Sequence, residues 1–135
     1  MSKVIDNFGK NAGKVWQALD MHGPLTPNKI MKNTKLDEED FYVAVGWLAK
    51  ENKIYKTGSR YYLGETNLEN KIGRTAGKIW KTLDKIGYID APYVPKLAGV
   101  SDKEGNCAIG WLAREGKINV RKVKPKKPQT KYSLK

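Results

Sequence analysis

The chain has one cysteine, one histidine, two phenylalanines and six prolines in 135 residues, and each scarcity removes a class of protein. A lone Cys107 closes no intrachain disulfide, which excludes a small disulfide-stapled scaffold. Cys107 and His22 together fall short of a zinc ligand set, so no metal is expected. The apolar runs are far below the roughly 20 residues of a membrane helix. The start, Met1-Ser2-Lys3-Val4-Ile5-Asp6, lacks the apolar core of a secretory signal. A cytoplasmic protein without a membrane partner is expected.

Catalytic motifs are missing as well. His22 has no carboxylate or nucleophile in a recognisable arrangement around it. Gly73-Arg74-Thr75-Ala76-Gly77-Lys78 is one residue short of a phosphate-binding loop, and Ile79 stands where the magnesium-binding hydroxyl belongs. The expectation is no catalytic residue, no cofactor and no enzymatic activity.

What the chain does contain is repetition. Gly9-Lys10-Asn11-Ala12-Gly13-Lys14-Val15-Trp16 returns as Gly73-Arg74-Thr75-Ala76-Gly77-Lys78-Ile79-Trp80, and Ala44-Val45-Gly46-Trp47-Leu48-Ala49-Lys50-Glu51 returns as Ala108-Ile109-Gly110-Trp111-Leu112-Ala113-Arg114-Glu115. Both pairs share an offset of 64 residues, so nothing is inserted between the blocks of one copy relative to the other. Two units of this length read as tandem small domains, 1–66 and 67–135, rather than as a solenoid.

Each copy reads as three helices and a β-hairpin. Ala12, Val15, Trp16 and Leu19 recur at i, i+3, i+4 and i+7, as do Ala76, Ile79, Trp80 and Leu83, which puts both tryptophans on a core stripe. Gly23 and Gly87 supply helix stops. Thr26-Pro27 is a helix start, and Asp90-Ala91-Pro92-Tyr93-Val94 is its counterpart. Asp37 and Ser101 cap the third helices, on which Cys107 aligns with Val43 as a small core residue. Trp47 and Trp111 lie about 100° off their stripes. They are expected beneath a wing or between the copies.

Two apolar runs around Gly58-Ser59 form a tight hairpin. Its counterpart begins at Lys117-Ile118 and ends at Tyr132-Ser133-Leu134, with Lys124-Pro125-Lys126-Lys127-Pro128-Gln129-Thr130-Lys131 as a longer, basic loop expected to project into solvent. Three helices plus a hairpin make a winged helix-turn-helix, so the fold class is mainly α with small β-hairpins, as two tandem winged helix-turn-helix domains. The Gly-x-x-Ala-Gly-Lys-(Val/Ile)-Trp and Ala-(Val/Ile)-Gly-Trp-Leu-Ala-(Lys/Arg)-Glu blocks resemble a prokaryotic family of small winged-helix domains of unknown function. The resemblance implies the fold and a DNA-binding role, and it brings no catalytic residues. A fused pair also suggests a covalent pseudo-dimer.

Charge divides the copies. Residues 1–66 hold 10 Lys and Arg against 8 Asp and Glu, whereas residues 67–135 hold 16 against 6, out of a net charge of +12. Such an excess favours polyanions. In the usual docking mode the third helix reads bases and the wing touches backbone. Asp37-Glu38-Glu39-Asp40 opposes that in the first copy, while Lys103 and Asn106 offer donors in the second. The candidate nucleic-acid-binding residues are Lys103, Asn106, the wing cations Arg121, Lys122, Lys124, Lys126, Lys127 and Lys131, and Arg74 and Lys78 on the first helix of copy two. Lys10, Lys14, Lys81 and Lys85 add one-sign ridges. Duplex DNA with little sequence preference is the expected partner, in an architectural or regulatory role in the cytoplasm or on the nucleoid. An adaptor docking a protein through copy one, and an RNA- or ribosome-associated factor, stay open as alternatives.

Overall fold

The computed structural model describes residues 3–123 and 129–135, with the backbone alone described at residues 3, 121–123 and 129. Copy one runs α1 (Lys3–His22), α2 (Pro27–Thr34), α3 (Glu38–Lys50), β1 (Ile54–Thr57) and β2 (Arg60–Leu63). Copy two runs α4 (Glu69–Ile86), β3 (Tyr88–Asp90), a 3-10 turn (Ala91–Tyr93), α5 (Val94–Ala98), α6 (Asp102–Arg114), β4 (Ile118–Val123) and β5 (Gln129–Leu134).

The helix ends follow the local chemistry. Gly23 and Gly87 take positive φ, and their N–H groups donate to the carbonyls of Leu19 and Leu83. Thr26 accepts from the Lys29 N–H ahead of Pro27 at the first turn. Asp37 accepts from the Asp40 N–H at 2.8 Å, and Ser101 forms a reciprocal capping box with Glu104. Gly58 at φ +61° closes the two-residue hairpin loop between Thr57 and Arg60.

Three details differ from the sequence reading. Copy two has a third strand, order β3-β5-β4, in which Ile89 pairs with Tyr132. Copy one keeps a single bridge there, Leu25 to Tyr61, and has Pro24 in place of Tyr88. The second hairpin also stays paired further out than expected. Gln129, Thr130 and Lys131 belong to β5, and Val123 to Gln129 is its last pair. Trp16 and Trp80, expected in the core, are 38% and 39% exposed. They stand about 70° from the centre of a stripe set by Phe8, Ala12, Val15 and Leu19, or by Ile72, Ala76, Ile79 and Leu83.

The two copies share one core across a crossing of α3 and α6. At the crossing the helices come within backbone contact: a Cβ on Gly46 would stand 1.7 Å from the Cys107 carbonyl oxygen, and one on Gly110 1.9 Å from that of Val43. Val43, Ala44, Ala108 and Ile109 are buried around it. The expectation for Cys107 holds: it is a buried, small residue of this interface. Around the crossing the contacts come in pairs related by the 64-residue offset. Lys50 meets Glu115 at 3.5 Å, and Arg114 meets Glu51 at 3.0 Å. The Lys50 ammonium lies 5.0 Å from the Trp111 ring, and the Arg114 guanidinium 5.8 Å from the Trp47 ring. Gly9 and Gly73 make room for those rings, with Cβ positions 3.2 Å and 3.8 Å from Trp47 and Trp111. Both tryptophans thus pack between the copies, one of the two expected places.

The connector is pinned too. The Asn67 side chain donates to the Lys56 carbonyl and accepts from the Lys56 N–H, while Asn52 accepts from the Thr66 N–H.

Candidate nucleic-acid interface

Helices α3 and α6 occupy the place of reading helices, yet their middle and last turns are covered by each other. Outside their first turns the exposed residues of the two helices are Lys50 and Arg114, which pair with Glu115 and Glu51 across the crossing. In copy one that turn carries exposed Asp37, Glu38 and Glu39, which would meet phosphates with like charge. The Tyr132 hydroxyl of copy two is raised in pKa first by burial and then by the charges of Glu39 and Asp40. In copy two the first turn exposes Lys103, whose ammonium lies 5.8 Å from the Tyr42 ring. Asn106 is half-buried, beside the Cys107 that packs on α3. Few side chains are left to reach base edges from these helices.

The cations of α4 are presented differently. Lys71, Arg74, Lys78, Lys81 and Lys85 are all exposed and follow one another at spacings of 3, 4, 3 and 4 residues, a single stripe. At 1.5 Å per residue it is roughly 21 Å long. None of the five has an ion-pair partner among the described residues. The stripe holds because the buried side of the same helix is set by Ile72, Ala76, Ile79 and Leu83, more than a quarter-turn away. Its first half adjoins the start of α6. The Glu104 carboxyl is held below its ordinary range first by hydrogen bonds from Ser101, and then by the charges of Lys71 and Lys78.

The second wing is only partly described. Arg121 and Lys122 pair through their backbones with Lys131 and Thr130, whereas Lys124, Lys126 and Lys127 lie outside the described residues. Lys131 is not a free cation. Its ammonium stands 3.1 Å from Asp90 Oδ1 and 4.5 Å from the Tyr88 ring, folded onto the third strand of its own sheet. The contact with Asp90 is one of charge, since that oxygen takes no well-aimed hydrogen bond.

Family comparison agrees with the architecture. Residues 1–63, and again residues 68–128, match a winged helix-turn-helix domain (DUF2582). The chain belongs to the DUF2582 family. No curated protein and no solved structure matched it. A winged helix-turn-helix fold points in general to DNA binding, and such domains are as a rule non-enzymatic. No helix among the described residues is long and apolar enough to cross a membrane.

Two features of this DUF2582 chain escaped the sequence reading. Lys71 completes the α4 stripe but precedes the repeated block, so the repeat drew no notice to it. Its spacing to Arg74 and Lys78 was the available signal. The second repeated block marks the fold, and its glycine, tryptophan, cation and glutamate are also the contacts that join the copies. Exposed apolar side chains also collect on copy two rather than copy one. Ile86, Tyr88, Tyr93 and Leu97 share a groove where copy one has His22, Pro24, Lys29 and Asn33.

Proposed function

We propose that the protein binds duplex DNA with little sequence preference, in an architectural or regulatory role, and that copy two makes most of the contact. One observation carries the reading: five unpaired cations in a single exposed stripe on α4, where α1 offers Asn7, Lys10, Lys14, Gln17 and Met21. A line of lysines and arginines about 21 Å long spans several phosphates of one strand and gains by releasing their counterions. We extend the proposal to the second-hairpin cations Arg121, Lys122, Lys124, Lys126 and Lys127, and to Lys103, as further phosphate contacts. Low specificity follows from the mutual burial of α3 and α6, because base readout needs side chains in the major groove.

Mobility shifts with duplex DNA, single-stranded DNA and duplex RNA over a salt series test this. Duplex DNA should bind with log affinity falling against log salt at a slope of about −4 to −5, for roughly five phosphates neutralised. Equal binding of unrelated duplexes is expected. Strong preference for duplex RNA would move the protein to the RNA-associated reading. Failure to bind any nucleic acid at low salt would leave the adaptor.

A further inference from the structure

A cavity of about 360 Å³ opens between the copies, on the side where the first wing meets α4 and the start of α6. Its volume is in the range that holds a small molecule. Three cations, Lys56, Lys71 and Lys103, come to it from three different elements, and Tyr42 and Tyr61 form much of its aromatic wall. The Lys56 and Lys103 ammonium groups each lie 5.8 Å from one of these rings. The single carboxylate on the wall, Glu104, is already engaged by Ser101 in the capping box.

Two further facts separate the cavity from an ordinary surface dent. Tyr61 is 4% exposed and Tyr42 8%, yet among the described residues neither hydroxyl makes a hydrogen bond. Neither oxygen is among the buried atoms that lack a partner, so both hydroxyls stay open to solvent and are available to a ligand. The corresponding place in the other half keeps one tyrosine, Tyr132 for Tyr61, but lacks the rest of this chemistry. Val120, Asn7 and Glu39 replace Lys56, Lys71 and Lys103, and Asn106 replaces Tyr42. The three lysines and Tyr42 are therefore departures from the repeat and not by-products of it.

We infer that this cavity binds a small organic anion with a planar ring, the ring resting against the tyrosines and apolar wall and the anionic group meeting the three lysines and the free hydroxyls. Because both copies line it, an occupant would also brace the junction between them. Lys71 and Lys103 also belong to the proposed DNA-binding surface, but the test is read without nucleic acid, so its outcome does not depend on that reading.

Calorimetric titration of the full chain with naphthoate, beside the neutral naphthamide of the same shape, tests it. Naphthoate should bind with a Kd below about 1 mM and raise Tm. Naphthamide should bind at least about tenfold more weakly. Lys56→Gln combined with Lys71→Gln, both exposed positions that leave the core intact, should weaken naphthoate about tenfold, and Tyr61→Phe about threefold. Lys81→Gln with Lys85→Gln, on the far part of α4, should change nothing. Equal affinity for acid and amide, indifference to the Lys56 and Lys71 changes, or no binding up to about 10 mM would each overturn the proposal.

Discussion

Helices α1 and α4 bury matching stripes and show solvent different faces. Phe8, Ala12, Val15 and Leu19 on one correspond to Ile72, Ala76, Ile79 and Leu83 on the other, all of them buried. Outside, α1 carries two lysines along the line where α4 carries Lys71, Arg74, Lys78, Lys81 and Lys85. The α3 and α6 pair shows the reverse. Their first turns diverge in charge, but the crossing and its flanking contacts are nearly the same from both sides. A duplicated unit was thus free to change its outer surface, whereas a residue in the crossing faces its own counterpart region and is held by it.

The largest test concerns that crossing. Gly46→Ala and Gly110→Ala each put a methyl group inside the van der Waals radius of a facing carbonyl, where no side chain can yield. Each should destabilise by about 3 kcal/mol or more, measured by urea denaturation. Gly13→Ala and Gly77→Ala are the matched controls, since their added carbons meet nothing within 4 Å. They should stabilise by about 0.5–1 kcal/mol through helix propensity. Equal effects at all four sites would deny the close approach.

Next is the asymmetry of the outer helices. Changing Arg74, Lys78, Lys81 and Lys85 to Gln should lower affinity for duplex DNA about a hundredfold at low salt and make the salt slope shallower by about 3 to 4. Lys10→Gln with Lys14→Gln should cost less than about threefold. Matching losses from the two helices would remove the division of labour.

A smaller effect depends on pH. Burial pushes the Cys107 thiol up from an ordinary 9.0 to about 12, with lesser influences from Lys71, Lys56 and Glu104. The folded protein keeps this proton after the unfolded chain has lost it, so stability is whole below pH 9.0 and declines as pH rises towards about 12. Buried Tyr61 and Tyr132, also raised first by desolvation, add to the alkaline loss. Cys107→Val, which copies Val43 of the other half, should flatten the start of the decline in denaturant midpoints. An unchanged profile would mean that the thiol is reachable by water.

The smallest effect concerns the paired salt bridges. Arg114→Ala and Lys50→Ala should each cost about 0.5–1 kcal/mol, because both cations remain well exposed while stacking over Trp47 and Trp111. A double variant that loses much more than the sum would reveal coupling through the crossing.

How much could be read in the chain depended on how local the cause was. Caps at Thr26, Asp37 and Ser101, the stops at Gly23 and Gly87, and the Gly58-Ser59 turn were legible, because each involves groups a few residues apart. The strand Tyr88–Asp90 was not, since a three-residue run acquires its partner only when β5 arrives beside it. Lys131 read as one more loop cation, and its attachment to Asp90 needed the sheet to bring 41 residues of separation together.

By itself the sequence determined the duplication, the helical and hairpin units, the surplus of positive charge in the second copy and the winged helix-turn-helix family. Periodicity and capping act within one or two turns, and they are written into adjacent residues. Which glycine touches backbone and which faces water was decided by the tertiary structure alone. Gly13 and Gly46 are both helical glycines in repeated motifs, yet one is open and the other meets a carbonyl. The difference lies in what stands opposite, and the pattern along a single helix carries no information about its neighbour.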